Sequence, residues 1–206
     1  AETIRAAKQP VILAGGGVVN SDAVQELRKF VRMTQIPVVS TMTGIGVLPS
    51  DDDLYFGMIG SHGMKRANMV LNHSDLVLIM GARLGDRSIA NAQRLEARTK
   101  LVHIDIDPAE IGKSVQPHIP VVGDVKDVLK QLLPQIEGYQ APGEWLDYVA
   151  KIKADWTVEE PHGDTGYVNP KYFMKRLSER VQSDAYVATE VGQNQMWATN
   201  HYIFKD

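Results

Sequence analysis

The feature that most constrains the fold is an alternation of short apolar runs with amphipathic segments over the first two thirds of the chain. The apolar runs predict strands at Val11–Ala14, Pro37–Ser40, Leu76–Met80, Leu101–Ile104 and Pro120–Val122. Between and after them, helical spacing of apolar residues predicts helices at Ser21–Thr34, Met64–Asn72 and Val125–Leu133. Continuously apolar strands are typical of parallel sheets that are buried on both faces. We therefore predict an α/β fold with a doubly wound parallel sheet over residues 1–137.

Composition excludes several classes of function. The chain has 206 residues, of which 44% are hydrophobic. Its 22 Lys and Arg against 25 Asp and Glu give a net charge of −3. Because there is no excess of cations, we predict neither a nucleic-acid partner nor a membrane partner. The absence of cysteine excludes disulfides, thiolate metal sites and a cysteine nucleophile. Neither a membrane-spanning apolar run nor a signal peptide is recognisable, and we expect a cytoplasmic protein.

The alternation of predicted strands and helices ends after Pro134. We predict that residues 138–166 form a linker with one amphipathic helix, and that residues 167–206 begin a second α/β unit. That unit is predicted to contain a helix from Pro170 to about Val181, capped by Asn169, and a strand at Ala185–Ala188. Because so short a unit cannot bury a core of its own, we expect the chain to be a piece of a longer protein, truncated inside this second domain.

The residues that follow the predicted strands are rich in glycine and polar groups. Ligands of open parallel sheets bind at the carboxyl ends of the strands. Five strand ends carry such residues, namely Gly15, Gly16 and Gly17; Thr41 and Met42; Gly81, Ala82 and Arg83; Asp105; and Gly123 and Asp124. Glycine allows the backbone to approach a phosphate closely, and Arg83 or Arg87 would add a bidentate contact. Together these residues predict a ligand shaped like a nucleotide.

The glycine cluster has a simpler alternative interpretation. Gly15–Gly17 would also suit a tight turn between a strand and a helix, with no ligand. The pattern departs from the dinucleotide fingerprint, because Asn20 stands where the third glycine belongs and Ser40, rather than an acidic residue, ends the second strand. This departure weakens the hypothesis of an ordinary NAD dehydrogenase.

The charged residues at the strand ends also have alternatives. Arg83 and Arg87 would serve equally as solvated side chains or as partners of Asp86. Asp105 and Asp107 precede a proline, and they would serve equally as caps of a short helix.

No reaction follows from the residues alone. The six histidines are dispersed, without a pair at metal-ligand spacing, and no nucleophile, base and acid occur in a recognisable order. We therefore predict no catalytic and no metal-binding residue in this chain. His62, in the predicted loop between Ser61 and Gly63, is the one histidine that we expect near a ligand.

Seven strings in the chain resemble one family. In order they are PVILAGGG (10–17), IPVVSTMTGIG (36–46), GMIGSHG (57–63), DLVLIMGARLGDR (75–87), HIDIDPAEIGK (103–113), VVGD (121–124) and EVGQNQMW (190–197). The chain is similar to the catalytic subunits of acetohydroxyacid synthases (acetolactate synthases), which are enzymes that use thiamine diphosphate and also bind FAD. The resemblance covers nearly the whole chain. It implies that residues 1–137 are the central FAD-binding domain and that residues 167–206 are the truncated start of the thiamine-diphosphate-binding domain.

The resemblance also implies which residues contact FAD. By position in the matching strings they are Gly15, Gly16, Gly17, Thr41, Met42, Gly60, Ser61, His62, Gly81, Ala82, Arg83, Arg87, Asp105, Ile106, Gly123 and Asp124. This set is nearly the one that the strand ends predict. In this family the flavin has a largely structural role.

For thiamine diphosphate the resemblance implies a smaller set of contacts. They are Val191, Gly192 and Gln193, followed by Asn194 where many relatives have histidine. The activating glutamate and the Gly-Asp-Gly motif that binds Mg²⁺ are expected outside this chain, so the chain alone is expected to be inactive.

The implied activity is that of a transferase in branched-chain amino-acid biosynthesis. Pyruvate would lose carbon dioxide, and its two-carbon unit would be joined to a second 2-oxo acid, with the thiamine cofactor as electron sink. The implied partners are 2-oxo acid substrates, further copies of the same subunit and a regulatory subunit.

Two alternatives remain beside this assignment. Many relatives read Phe-Asp-Asp-Arg-Val where this chain has Leu84 to Ser88, so that Gly85 replaces an acidic residue beside the flavin. A related thiamine enzyme, such as glyoxylate carboligase or a 2-oxo acid decarboxylase, is therefore one alternative. A stand-alone nucleotide-binding module is the other, although the string Val191–Trp197 argues against it.

Overall fold

Six parallel strands form a single sheet at the centre of the protein. The computed structural model describes residues 1–85, 87–89, 92–157 and 166–205. The strands are β1 (Pro10–Ala14), β2 (Val38–Ser40), β3 (Tyr55–Met58), β4 (Leu76–Met80), β5 (Lys100–Asp105) and β6 (Ile119–Val122). Their order is β3-β2-β1-β4-β5-β6, so the order reverses between β1 and β4. The predicted α/β fold with a doubly wound parallel sheet is confirmed.

Helices connect and cover the strands. They are α1 (Glu2–Ala6), α2 (Gly16–Asn20), α3 (Val24–Thr34), α4 (Lys65–His73), α5 (Ala92–Glu96), α6 (Val125–Leu132), α7 (Gly143–Asp155), α8 (Pro170–Arg180) and α9 (Gln193–His201), with 3₁₀ turns at Met42–Gly44 and Leu133–Gln135. Helices α2, α3 and α6 contact one another, whereas α4 contacts α7. Across the described ranges, no helix has the length and apolar character needed to cross a membrane.

Burial of the strands follows their place in the sheet. Every residue of the central strands β1 and β4 is buried, and the two strands pair in parallel, with Ile12 opposite Leu78 and Ala14 opposite Met80. Along β6 the side chains alternate between half-buried and exposed, as expected of an edge strand. Pro120 fits this position, because a strand at the edge has one side without a neighbour that needs its N–H group.

Helix α7 is anchored to the first strand. Its Trp145 is buried and donates an indole hydrogen bond to the carbonyl oxygen of Pro10 at 2.9 Å. Val149 and Ile152 are buried in the same core as the sheet. The amphipathic helix that the sequence predicts within residues 138–166 is therefore present, and it packs on the sheet.

The helix predicted at Ser21–Thr34 is wrong in its first residues. Helix α2 ends at Asn20 and α3 begins at Val24, and Asp22 between them has a left-handed φ of 52°. The Ser21 hydroxyl donates to the carbonyl oxygen of Gly17 at 2.7 Å, which closes the end of α2. A left-handed residue cannot continue a right-handed helix, so the segment divides in two.

Two strand assignments from the sequence also differ from the structure. Residues 185–188 form no strand, and Tyr186 is fully exposed, because a strand needs a neighbour and none in the described ranges pairs with this segment. Strand β3 was not predicted, since Gly57, with a φ of 98°, interrupts its apolar pattern.

The C-terminal segment packs against the rest of the protein. The Asn169 side chain caps α8 by accepting a hydrogen bond from the Lys171 N–H group at 3.0 Å, as predicted. Helix α8 contacts α9, and α9 contacts β3. Beyond α9, Ser50 and Phe204 exchange two hydrogen bonds, of 2.9 and 3.0 Å. These contacts join the segment to the loop after β2.

Candidate functional site

The candidate site lies where the strand order reverses. Loops after neighbouring strands leave the sheet on opposite faces at such a point and open a crevice between them. The loop after β1 is tied to the loop after β4 by two backbone hydrogen bonds of 2.9 Å, from Gly15 N to Met80 O and from Gly17 N to Gly81 O. Helix α2 begins at Gly16, directly after Gly15.

Glycine is required in these loops by their close approach. A Cβ atom on Gly17 would lie 2.6 Å from the Cα atom of Gly81, and one on Gly15 would overlap the Gly81 carbonyl oxygen. Gly81 itself has a left-handed φ of 57°. Gly15–Gly17 therefore form a tight turn between β1 and α2. The same packing gives the crevice a floor of bare backbone, which is what a bound phosphate group needs.

Two adjoining clefts cross the carboxyl ends of the strands. The larger, of about 660 Å³, is lined by Gly16, Gly17, Val19, Asn20, Thr41, Met42, Thr43, Gly81, Arg83, Leu84, Gly85, Ser88, Glu110, Lys113 and Ser114. The smaller, of about 380 Å³, is lined by Gly17, Asn20, Ser21, Gly81, Arg83, Asp105, Ile106, Asp107, Glu110, Asp124 and Val125. Because they share five residues, we describe them together as the strand-end groove.

The strand-end groove brings together most of the predicted site residues. Those that line it are Gly16, Gly17, Thr41, Met42, Gly81, Arg83, Asp105, Ile106 and Asp124. Gly15 and Ala82 are buried at its base. Gly123 is joined to it through a 2.9 Å hydrogen bond from its N–H group to the carbonyl oxygen of Asp105.

The loop after β3 lies outside the strand-end groove. Gly60 and Ser61 line a neighbouring cleft of about 420 Å³, which shares only Ser88 with the groove. The Ser61 N–H group donates to the carbonyl oxygen of Arg87 at 3.1 Å. His62 is exposed, and its carbonyl oxygen accepts a hydrogen bond from the Asn200 side chain at 3.1 Å. The loop is thus in contact with Arg87 on one side and with α9 on the other.

Asp105 and Asp107 cap the turn that follows β5. Asp105 Oδ1 accepts from the N–H group of Asp107 at 3.0 Å, and Asp107 Oδ1 accepts from the N–H group of Ala109 at 2.9 Å. The alternative from the sequence, caps of a short helix, is correct in the capping but wrong in the element, because residues 106–118 form a turn and no helix. Only one oxygen of Asp105 is engaged in this way. Its Oδ2 lies 4.0 Å from the Nε2 atom of His103.

His103 is a buried histidine beneath the strand-end groove. It is 2% exposed, and neither ring nitrogen has a hydrogen-bond partner in the described part of the chain. Burial lowers the pKa of His103, and the Asp105 carboxylate, the Ala82 backbone and the Glu110 carboxylate only partly oppose this effect. The ring is therefore held in its neutral form beside an acidic residue of the candidate site.

The cations of the candidate site are exposed. Arg83 and Arg87 extend into solvent, and neither side chain forms a hydrogen bond or an ion pair within the described ranges. The predicted pairing with Asp86 concerns a residue outside those ranges. Since Arg83 lines both clefts of the strand-end groove, its guanidinium group is available to a phosphate there.

Residues on the turn after β5 were missed by the sequence reasoning. Glu110 and Lys113 line the strand-end groove and form an ion pair of 2.8 Å. Their spacing of three residues, directly after Asp105 and Asp107, is the signal that would have indicated them. Asp124, in contrast, was predicted, and its Oδ1 also caps α6 by accepting from Lys126 N at 2.8 Å.

The four residues assigned to thiamine diphosphate lie apart from the strand-end groove. They are Val191, Gly192, Gln193 and Asn194, at the start of α9, and none of them lines either cleft. Val191 is 88% exposed, and Asn194 Oδ1 accepts a hydrogen bond from the N–H group of Gln195 at 2.8 Å. The structure therefore separates the residues predicted for the two cofactors.

Comparison with known proteins agrees with this fold. Residues 1–132 match the family described as the thiamine pyrophosphate enzyme, central domain. The chain is 40% identical to the acetolactate synthase large subunit of Lactococcus lactis over 97% of this chain and 34% of that protein. It is 36% identical to the acetolactate synthase isozyme 1 large subunit of Escherichia coli over 98% of this chain and 35% of that protein.

An archaeal relative is equally similar. The chain is 37% identical to a probable acetolactate synthase large subunit of Methanocaldococcus jannaschii over 100% of this chain and 36% of that protein. The chain thus spans about a third of the length of the curated relatives it matches. From the family match and the six-stranded fold we conclude that the chain belongs to the thiamine pyrophosphate enzymes and that residues 1–132 are its central domain.

Proposed function

We propose that the strand-end groove binds FAD in an extended conformation. The observation that carries this proposal is the continuity of the groove across the reversal between β1 and β4, over a floor of glycine backbone. A mononucleotide would need only one side of the reversal. A groove that extends to both sides suits a dinucleotide.

The residues present fit the parts of such a ligand. Gly16 and Gly17 line the groove without side chains, and Arg83 has no ion-pair partner within the described ranges, so we assign the diphosphate to these three residues. Oδ2 of Asp105 accepts no hydrogen bond from the part of the chain that the structure describes, and we assign this oxygen to a ribose hydroxyl. Ile106 is 68% exposed beside it and would lie against an apolar ring system.

Hydrogen–deuterium exchange tests this assignment residue by residue. We expect FAD to slow backbone exchange at residues 15–17, 81–85 and 105–107, because these loops line or support the strand-end groove. Helix α8 lines neither cleft of the groove and serves as the internal control, with no change expected. Slower exchange confined to other segments, or none at saturating FAD, would contradict the assignment.

We further propose that this chain contributes to an enzyme that makes acetolactate from pyruvate. The names of the relatives support this activity, as does the string from Glu190 to Trp197. Such an enzyme requires thiamine diphosphate and Mg²⁺, and the thiamine group supplies an electron sink for decarboxylation. Gly192 and Gln193, at the first turn of α9, would hold the diphosphate, since a helix N-terminus presents free N–H groups to anions.

We also propose the substrates and the assembly of the enzyme. Substrates would be 2-oxo acids, and the working form would be a homo-oligomer that a regulatory subunit joins. The cytoplasmic location stays a prediction from the sequence.

A colorimetric acetoin assay tests the proposed activity. We expect the full-length protein to convert pyruvate to acetolactate with thiamine diphosphate and Mg²⁺, and the 206-residue chain alone to be inert. Gln193→Ala should lower the turnover of the full-length protein, whereas Gln131→Ala, on the distant helix α6, should not. Activity on glyoxylate in place of pyruvate would instead assign the protein to a related thiamine enzyme.

A further inference from the structure

A second cleft lies between the C-terminal segment and the central sheet. It has a volume of about 440 Å³ and is lined by Ile45, Ser50, Asp51, Tyr55, Met64, Arg66, Thr157, Lys175, Thr199, Asn200, His201, Tyr202 and Ile203. We call it the seam cleft. It shares no lining residue with the strand-end groove. Its walls are held together by the two hydrogen bonds between Ser50 and Phe204.

The seam cleft is lined by a half-buried guanidinium group, Arg66, that forms no ion pair with any residue that the structure describes. Arg66 Nε donates to the carbonyl oxygen of Phe56 at 3.1 Å, and Nη2 contacts the Met64 sulfur at 3.4 Å, so both acceptors are neutral. Within the described ranges no carboxylate lies within ion-pair distance of Arg66. Burial lowers the pKa of Arg66, and Tyr55 opposes this effect only in part. A cation that is partly removed from water in this way is costly unless an anion joins it.

A second cation reinforces the positive potential. Lys153 is close enough to Arg66 for the guanidinium charge to help lower the pKa of the lysine, after the larger effect of burial. The Lys153 ammonium group donates to the carbonyl oxygen of Asp52 at 2.7 Å and lies 3.7 Å from the carboxylate of Asp53, which is fully exposed. Asp51 lines the seam cleft, but its charge is not among those that act on the Arg66 pKa.

The other walls of the seam cleft include apolar side chains. Ile45, Met64 and Ile203 contribute aliphatic surface, and the Tyr202 ring is buried beside them. The volume falls within the range of small-molecule sites. A guanidinium fork matches the two oxygens of a carboxylate, and aliphatic walls favour a hydrocarbon chain over water.

We propose that the seam cleft binds a small aliphatic carboxylate, with its carboxylate group on Arg66 and its hydrocarbon chain against Ile45, Met64 and Ile203. Such a ligand would supply the missing counter-charge. It would also join the C-terminal segment to the sheet, because Arg66 belongs to α4 and Ile203 follows α9. This site is independent of the cofactor proposals above.

Calorimetric titration of the purified protein with 4-methylpentanoate tests the proposal. We expect saturable binding, which is about tenfold or more weaker in Arg66→Gln, since a charge-assisted hydrogen bond is lost. Asp51→Asn should bind the acid more tightly, because the substitution removes a negative charge that repels the carboxylate of the ligand. Arg32→Gln removes an exposed arginine on α3 and is the matched control, with unchanged affinity expected.

Three further ligands test which chemical class of ligand the seam cleft binds. 4-Methylpentan-1-ol lacks the charge and acetate lacks the hydrocarbon chain, so both should bind at least tenfold more weakly than 4-methylpentanoate. Inorganic phosphate should also bind more weakly. Phosphate that binds as tightly as the acid would overturn the assignment of an aliphatic ligand.

Two further outcomes would overturn the site itself. One is the absence of saturable binding of 4-methylpentanoate, and the other is unchanged affinity in Arg66→Gln. Thermal unfolding of each variant checks that it is folded. Should Arg66→Gln fail to fold, the second test is Ile203→Glu. This variant adds a negative charge to the cleft that would repel the carboxylate of the ligand. Unchanged affinity in that variant would equally refute the site.

Discussion

Gly17 donates its backbone N–H group to the carbonyl oxygen of Gly81 at 2.9 Å, and this bond joins the loops after β1 and β4 where the strand order reverses. The two residues are in backbone contact, since a Cβ atom on Gly17 would lie 2.6 Å from Gly81 Cα. The floor of the strand-end groove is therefore a contact between two glycines. We therefore expect the stability of the sheet and the proposed binding of a nucleotide to depend on this contact.

Substitution of Gly17 should damage stability and binding together. We expect Gly17→Ala to lower the free energy of unfolding by about 1–3 kcal/mol, because the new methyl group meets backbone that cannot move aside easily. FAD affinity should fall with it, since the loops must separate. Urea unfolding measures the first effect, and flavin fluorescence measures the second.

The control for Gly17→Ala is Gly143→Ala. A Cβ atom on Gly143 has no neighbour within 4 Å, and the residue begins α7. Alanine is favoured over glycine in helices, so this variant should be as stable as the parent or slightly more so. Equal stability of both variants would show that the Gly17–Gly81 contact is not as tight as described.

Arg83 should affect ligand affinity without affecting stability. Its side chain is exposed and has no partner in the described ranges, so Arg83→Gln should change the free energy of unfolding by less than about 0.5 kcal/mol. FAD binding should weaken by about tenfold, because a charged contact to the diphosphate is lost. Fluorescence titration at two salt concentrations checks this, and the dependence on salt should be smaller in the variant. An unchanged affinity would remove Arg83 from the site.

Stability should decrease in mild acid because of His103. Burial lowers the pKa of this histidine from its ordinary value of 6.5 in the folded protein. As the pH falls below about 6.5, the unfolded chain takes up a proton that the folded protein does not, so the free energy of unfolding decreases. Above that pH both states are neutral, and His103 contributes no pH dependence. His201, whose pKa burial also lowers, adds to the same slope.

Replacement of His103 by leucine isolates its contribution to the pH dependence of stability. Leucine fills a similar buried volume and binds no proton, so His103→Leu removes this one titrating group. Between about pH 7 and pH 5, the slope of unfolding free energy against pH should be smaller in this variant than in the parent. His73→Gln, at the exposed end of α4, is the control. An identical slope in His103→Leu and the parent would contradict the prediction.

The indole of Trp145 should be the main attachment of α7. Trp145→Phe keeps an aromatic ring but leaves the Pro10 carbonyl oxygen without its donor, at a cost of about 1–3 kcal/mol. Trp145→Ala should cost about 3–5 kcal/mol. Trp156→Phe, at a partly exposed position beside Lys65, should cost less than about 0.5 kcal/mol. Thermal and urea unfolding of the three variants gives the ranking, and equal effects at both tryptophans would contradict it.

The sequence predicts the central strands well and the edges poorly. Leu76–Met80 was predicted with its observed bounds, because a strand buried on both faces leaves a continuous apolar run. At β3, Gly57 interrupts that run, so the strand was missed. At Ala185–Ala188 a short apolar run is present, but no strand within the described ranges pairs with it, and pairing partners cannot be read from a local pattern.

The candidate site was predictable where position in the sheet determines it. Gly17, Gly81 and Asp105 follow strands whose order places them at one edge, so topology alone selects them. The pair Glu110 and Lys113 reaches the same groove through a turn after β5, and the path of a turn depends on hydrogen bonds that the sequence does not display. Packing also decides that α2 begins at Gly16, since the residues that follow have little helical preference.

The most direct test of the account is a calorimetric titration of the purified protein with FAD. We predict saturable binding of one FAD per chain, much tighter than binding of ADP, because the strand-end groove extends to both sides of the strand-order reversal. Gly17→Ala should weaken this binding and Gly143→Ala should preserve it. No saturable binding of FAD at high micromolar concentration, or equal affinities for FAD and ADP, would contradict the assignment of the groove to a dinucleotide.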